Sequence, residues 1–123
     1  MNKRILLSFV LLFACLVSHA TVYNVMDFGA VNNGQTLTTK HIQAAIDKCY
    51  ADNGGVVYVP KGEYLVGTLN LKSNVEFHLE MGAVLKATTD LSQYQRHHEQ
   101  LAGVFYTENS KNVAITGHGK IFG

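Results

Sequence analysis

Cysteine is scarce in this chain: there are two in 123 residues, Cys15 and Cys49. Cys15 lies in an apolar leader, so a chain processed after Ala20 keeps only Cys49. One thiol excludes an internal disulfide framework and a Cys/His zinc site. Cys49 falls on the apolar face of a predicted helix, where a cysteine packs as a small hydrophobe. Charge of either sign is also in short supply. Lys+Arg number 10 against 9 Asp+Glu, and loss of Lys3 and Arg4 with the leader leaves 8 against 9. That balance offers nothing to attract nucleic acid or an anionic membrane surface by bulk charge. No long hydrophobic run is present: Ile5 to Val17 is 13 residues, and a bilayer takes about 20. Nor are any two acidic residues adjacent. Asp27, Asp47, Asp52, Glu63, Glu76, Glu80, Asp90, Glu99 and Glu108 are dispersed, and solvated faces account for them.

What is there begins with a targeting segment, residues 1–20. Lys3 and Arg4 form a basic start, Ile5 to Val17 the apolar core, and Ser18, His19 and Ala20 a small-x-small cleavage site. The run is apolar all round, unlike a buried amphipathic helix. The expected location is therefore secreted or periplasmic. Leu12 to Cys15 also resembles a bacterial lipoprotein box, although Phe13 is bulkier than the residue preferred there. Lipid attachment at Cys15 is the lesser reading and cleavage after Ala20 the preferred one.

Residues 21–123 are expected to form one domain. A β-run from Val22 to Val25 leads into Asp27, Phe28, Gly29 and Ala30, then a polar turn from Asn32 to Gln35. A helix is predicted over about 38–52. Thr38 or Thr39 is its N-cap, and Ile42, Ala45, Ile46, Cys49 and Tyr50 line one face. Asn53, Gly54 and Gly55 end it. From residue 56 the period changes. Val57 and Val59, then Leu65, Leu69 and Leu71, read as short strands punctuated by Pro60, Gly62 and Gly67. The chain then repeats itself. Asn74, Val75 and Phe77 match Asn112, Val113 and Ile115 at an offset of 38; Gly82 and Val84 match Gly119 and Ile121 at 37. Recurrence of strand, glycine turn and strand indicates a solenoid whose units bury their faces by stacking. One helix followed only by short strands suggests a plug on the end of that stack. Thr88 to Gly103 is polar and aperiodic, a loop bulging from the stack that is either a binding face or plain surface. His97 and His98 within it are adjacent, a poor arrangement for ligating one metal, and read as exposed.

Several blocks carry a family resemblance: Tyr23 to Ala30, Thr39 to Asp47, Gly54 to Tyr64, Gly67 to Val75, Leu79 to Leu85 and Ala114 to Gly123. Together they resemble the N-terminal region of glycoside hydrolase family 28, the polygalacturonases, within the pectate-lyase-like β-helix proteins. The early blocks are shared widely across those proteins and speak for the fold more than for the reaction. The resemblance implies an all-β, right-handed parallel β-helix with an N-terminal capping α-helix, truncated after the first rungs at about 56–123. It implies inverting hydrolysis of α-1,4 bonds in polygalacturonate or a related pectic polysaccharide, with no cofactor. Inversion needs carboxyls about 6.5–9.5 Å apart. The family's Asn-Thr-Asp, Asp-Asp and Arg-Ile-Lys motifs are absent here, so no catalytic residue and no metal site is assigned.

Gly117, His118 and Gly119 spell the family's catalytic-histidine motif. Their neighbours, Ile115 and Thr116 before and Ile121 after, instead match an earlier strand-turn-strand element, which makes His118 a turn residue. In that element Phe122 stands where the family usually has Asp. The expectation is the N-terminal portion of a secreted pectin hydrolase, itself inactive. The alternatives are another pectate-lyase-like β-helix protein (a lyase, or one similar to epimerases or tailspikes) and a non-catalytic carbohydrate-binding surface protein. Asn-Thr-Asp and Asp-Asp beyond Gly123 would discriminate them.

Overall fold

Parallel pairing at three successive offsets organises the molecule. The computed structural model describes residues 20–97 and 100–123. The targeting segment with Cys15, as well as His98 and Glu99, lies outside the described residues. The strands are β1 (Val22–Asn24), β2 (Asn33–Leu37), β3 (Gly55–Val59), β4 (Gly62–Val66), β5 (Leu69–Asn70), β6 (Val75–Leu79) and β7 (Ala83–Ala87), followed by β8 (Arg96–His97), β9 (Gln100–Leu101), β10 (Phe105–Tyr106), β11 (Ala114–Gly117) and β12 (Lys120–Phe122). One helix, α1 (Thr39–Ala51), separates β2 from β3. Two parallel sheets run β1-β3-β6-β11 and β2-β4-β7-β12, and β5 pairs with β10 in a third. Each turn of chain thus lays a strand on the same strand of the turn before, the architecture of a parallel β-helix.

The inward side chains stack in register. Val57 lies on Phe77 and Phe77 on Ile115; Val59 lies on Leu79; Tyr64 lies on Leu85 and Leu85 on Ile121. Val57, Val59, Tyr64, Phe77 and Leu85 are fully buried, each contributing about 1.5–3 kcal/mol of apolar burial. Phe77 also meets Phe105 edge-on, centroids 5.6 Å apart. The pleat in β4 sets which of its apolar residues are buried. Tyr64 and Val66 point inward, whereas Leu65 faces out and is only half-buried. Tyr64 tolerates the interior because its hydroxyl donates to the Pro60 carbonyl at 2.7 Å.

Corners need left-handed backbone, and the sequence supplies it in register. Gly54, Asn74 and Asn112 precede three stacked strands, with φ of 103°, 65° and 58°. Glycine and asparagine are the residues that enter this region most readily. Asn112 Nδ2 donates to Asn74 Oδ1 at 3.1 Å, tying two corners together. The offset of 38 therefore holds, with Phe77 beside Ile115. The second offset is corrected: Val84 pairs with Lys120 and Leu85 with Ile121, an offset of 36 and not 37. Gly117 itself takes φ 98°. The His118 and Gly119 amides both donate to the Leu79 carbonyl, closing a shorter turn.

The helix packs on the start of the stack. Ile42, Ala45, Ile46 and Cys49 are fully buried, against the turn at Val25–Phe28 and against β1, β3 and β5. Tyr50, expected on that face, is instead 49% exposed, with Lys72 Nζ 5.5 Å over its ring. Thr38 is the N-cap, yet its hydroxyl does not accept from the first turn. It accepts from the Val31 amide at 3.0 Å, while Thr39 Oγ1 accepts from Gly67 N at 2.9 Å. Both hydroxyls pin neighbouring loops to the helix start. Asn53 and Gly54 end the helix at positive φ, as the composition predicts.

Two further expectations are revised. The polar turn at Asn32–Gln35 overlaps β2, an irregular edge strand with a register shift between Asn33 and Leu37. Asn33 Oδ1 accepts from the Gln35 and Thr36 amides inside it, which is why the turn composition is genuine. Strand pairing consequently begins before the helix, at β1 and β2, and not at residue 56. The segment Thr88–Gly103 is partly ordered on the stack: Thr68 N donates to Gln93 O and Gln95 N to Thr68 Oγ1. Within the same segment β8 and β9 pair antiparallel.

Candidate functional site

Alternation along the strands turns every second residue outward, so each parallel sheet presents rows of side chains crossing the rungs. On the β1-β3-β6-β11 sheet, one row runs Tyr58, His78, Thr116 and its neighbour runs Val56, Glu76, Ala114. The rings of Tyr58 and His78 stack at 6.1 Å, 15° apart. Thr116 Oγ1 donates to Glu76 Oε2 at 2.8 Å and lies 2.8 Å from His78 Nδ1. With the hydroxyl proton given to Glu76, the His78 Nδ1 must be the donor to Thr116. The imidazole is thus oriented with its Nδ1–H toward Thr116 by a carboxylate acting through that hydroxyl. At the end of the row Tyr58 Oη donates to Glu80 Oε2 at 3.2 Å. The Met81 amide and then the Tyr58 hydroxyl hold the Glu80 carboxyl below its usual range.

The β2-β4-β7-β12 sheet shows a different face. Outward positions read Asn33, Glu63, Val84, Lys120 in one row and Leu37, Leu65, Lys86, Phe122 in the next. Lys86 Nζ lies 3.8 Å from Glu63 Oε2, both side chains half-exposed. Phe122 is 56% exposed beside Lys86.

Two clefts flank these faces. One of about 330 Å³ lies between α1 and the β5/β10 pair, with Gln43, Asp47, Lys72 and Tyr106 in its wall. Its polar groups are largely committed to one another. Gln43 exchanges hydrogen bonds with the Asn70 backbone, and Lys72 pairs with Asp47 at 2.7 Å. The other, about 310 Å³, sits at the helix start and is lined by Leu37, Thr39, Lys40, His41 and Gln93.

The acidic residues named from the sequence are dispersed among structural partners. Asp27 lies in the Val25–Phe28 turn. Asp52 ends α1 and accepts from Tyr23 Oη at 2.8 Å, which with Lys48 lowers its pKa. Asp90 caps the turn at Leu91–Gln93 through Ser92, which likewise lowers its pKa. Glu108 accepts from Tyr106 Oη at 3.1 Å. His118 is exposed in the β11–β12 turn, held by its own amide, and His97 lies in β8. Burial pushes the Cys49 thiol up to about 11, as a packing cysteine requires. Among the described residues no group of three His, Cys, Asp or Glu side chains is arranged to hold a metal, and no helix is long and apolar enough to cross a membrane. The Glu76–Thr116–His78 chain was not singled out from sequence. Its signal was the spacing of Tyr58, His78 and Thr116, which becomes a row only once the rung offsets of 20 and 38 are known.

Comparison with known proteins places these faces in context. Residues 22–118 match the family model described as rhamnogalacturonase A/epimerase, pectate lyase-like. An exopolygalacturonase of Zea mays is 34% identical over 104 residues, covering 82% of this chain and 24% of that protein. A mannuronan C5-epimerase of Azotobacter vinelandii is 52% identical over 61 residues, covering 43% of this chain and 6% of that protein. The crystal structure of a hyperthermoactive exopolygalacturonase from Thermotoga maritima superposes with a TM-score of 0.77 at 29% identity, over 87% of this chain and 27% of that one. The chain thus spans about a quarter of the length of the polygalacturonase relatives it matches.

Proposed function

Because the chain belongs to the rhamnogalacturonase A/epimerase, pectate lyase-like family, we propose that it is the N-terminal portion of a polygalacturonase-type glycoside hydrolase. The proposed reaction is inverting hydrolysis of α-1,4-galacturonosidic bonds in a pectic polysaccharide, after export directed by residues 1–20. One observation carries the choice of reaction: how far along the chain each likeness extends. The epimerase and lyase matches cover 43% to 76% of the chain, the structural ones at TM-scores of 0.51 and 0.63, whereas the polygalacturonase matches run over 82% to 87%, the structural ones at 0.76 and 0.77.

The chemistry needs a general acid and a water-activating base on opposite faces of the scissile bond. In this chain Asp47, Asp52, Glu76, Glu80, Asp90 and Glu108 are each engaged by a structural partner. That favours placing the catalytic carboxylates on rungs following Gly123. The role of the present residues is to start the stack and set its register. The second reading is a C5-epimerase or lyase on a uronan, favoured by 52% identity over 61 residues to the mannuronan epimerase and 39% over 99 residues to an alginate lyase of the same organism.

Incubating the full-length protein with polygalacturonate and counting reducing ends separates the readings. Release of reducing ends is expected from the full-length protein and none from residues 21–123. Full-length protein that leaves polygalacturonate intact but epimerises or eliminates mannuronan, read by NMR or by absorbance of the unsaturated product, would replace this reading with the second.

A further inference from the structure

The β2-β4-β7-β12 sheet carries an aromatic ring, Phe122, and two ammonium groups, Lys86 and Lys120, on its solvent side. Ala83 and Leu85 of β7 are fully buried, so Val84 and Lys86 between them face outward. Register carries that direction to β12: Lys120 lies beside Val84 and Phe122 beside Lys86. Adjacent strands are about 4.8 Å apart, and Lys120 and Phe122 are separated along one strand by about 6.6 Å. One monosaccharide unit can therefore touch all three. Lys61, in the turn before β4, lies with its stem over Gly82, where an added Cβ would meet its Cγ at 2.9 Å. Neither Lys61 nor Lys120 makes an ion pair among the described residues. Glu63 is the carboxylate on the outward positions of β4, β7 and β12, and its contact with Lys86 is long and solvent-screened at 3.8 Å.

We propose that Lys86, Lys120 and Phe122 form a subsite for one carboxylate-bearing sugar unit of a polyuronate, the ring stacking on Phe122 and the carboxylate lying between the two ammonium groups. This rests on the reading of the protein as one that acts on a polysaccharide. The chemistry follows from the pair of features. A sugar ring has an apolar C–H face that an exposed aromatic can cover. Ammonium groups select an anionic unit over a neutral one, through an interaction that weakens as salt rises. The local cluster is cationic although the whole chain is close to neutral at +1, so the selection belongs to this face. An aspartate at position 122 would instead repel a carboxylate there.

The test is binding of an oligogalacturonide to the full-length protein and its Phe122→Ala, Phe122→Tyr and Lys120→Gln variants, followed by calorimetry at two salt concentrations. Lys120→Gln should weaken binding roughly fivefold and flatten its salt dependence, the size expected of one exposed ion pair. Phe122→Ala should weaken binding by a similar factor with the salt dependence unchanged, and Phe122→Tyr should restore it. Wild-type affinity in both Lys120→Gln and Phe122→Ala overturns the subsite, even if the protein hydrolyses polygalacturonate. Equal affinity for neutral dextran, or tighter binding of a sulfated galactan, overturns the choice of a uronate. Binding that responds as expected in a protein that cleaves no galacturonan leaves the subsite standing and removes the hydrolase reading instead.

Discussion

Gly117 ends β11 with φ 98°, and a Cβ there would fall on the Leu79 carbonyl. The same carbonyl receives the His118 and Gly119 amides, so the residue cannot withdraw without losing both bonds. Gly117→Ala should destabilise the full-length protein by about 1–3 kcal/mol, through left-handed strain and the displaced turn. Asn112, at φ 58°, provides the contrast. Asn112→Gly should cost little backbone energy and lose only the bond to Asn74, whereas Asn112→Ala should lose that bond and add strain. Thermal melts of the three variants check the order, and a Gly117→Ala melt equal to wild type would remove the turn argument. Sequence spacing identifies Asn112 as a repeat marker and, for the glycine, Gly119. It missed by one residue how much shorter the second turn is, because Gly119 was aligned with Gly82 while the left-handed glycine of that turn is Gly117.

At the scale of one element, α1 is a packing cap. Ile46 is fully buried against the first strands. Ile46→Asp would bury an unpaired carboxylate, which must either protonate or lift the helix away. Loss of the isoleucine packing alone costs about 2–5 kcal/mol. The full-length protein should melt earlier and give lower yield, while activity per folded molecule stays constant. A collapse of specific activity with an unchanged melt would instead place the helix in the site. The period-3.6 pattern located α1 to within a residue at each end, since its apolar stripe needs only local order. What Thr38 and Thr39 do was beyond local reading, because their partners Val31 and Gly67 are brought to the helix by β2 and β4.

Across the whole molecule the rungs are unequally covered. Ile115 and Ile121 stack in register on Phe77 and Leu85, yet each is 46% exposed. Residues 21–123 taken alone therefore present an apolar end and unpaired strand edges, and should self-associate or bind a hydrophobic dye where the full-length protein does not. A monomeric, sharply melting fragment would contradict this. Acid should also destabilise the folded chain. The carboxyls of Asp52, Glu80 and Asp90 are lowered by their hydrogen bonds, so the unfolded state takes up protons first as pH falls. Their contribution is present above the ordinary carboxylate range, about pH 4, and is lost as pH drops through the folded values. Melting temperature should be level from neutral to mildly acidic pH and fall below it, with Asp52→Asn showing a shallower decline. An equal decline in that variant would remove Asp52 from the account.

The sequence was enough to determine the helix with its buried face, the glycine and asparagine corners, the first repeat offset and the packing role of Cys49, and the family resemblance added the turn position of His118. Each depends on residues close in sequence, on backbone angles only certain residues adopt, or on a repeated wording of the chain. Tertiary structure decided what crosses the rungs. It turned Tyr64 and Val66 inward in place of Leu65, moved the second offset to 36, and started the parallel stack before the helix. It also assembled Glu76, Thr116 and His78 on one face and set Lys86 beside Phe122 on another. The physical reason is that a side-chain row in a parallel stack joins residues 20 to 38 positions apart. A change of one in any offset exchanges the inward and outward sets. Only the closed turns, whose lengths depend on which glycine bends, determine that parity.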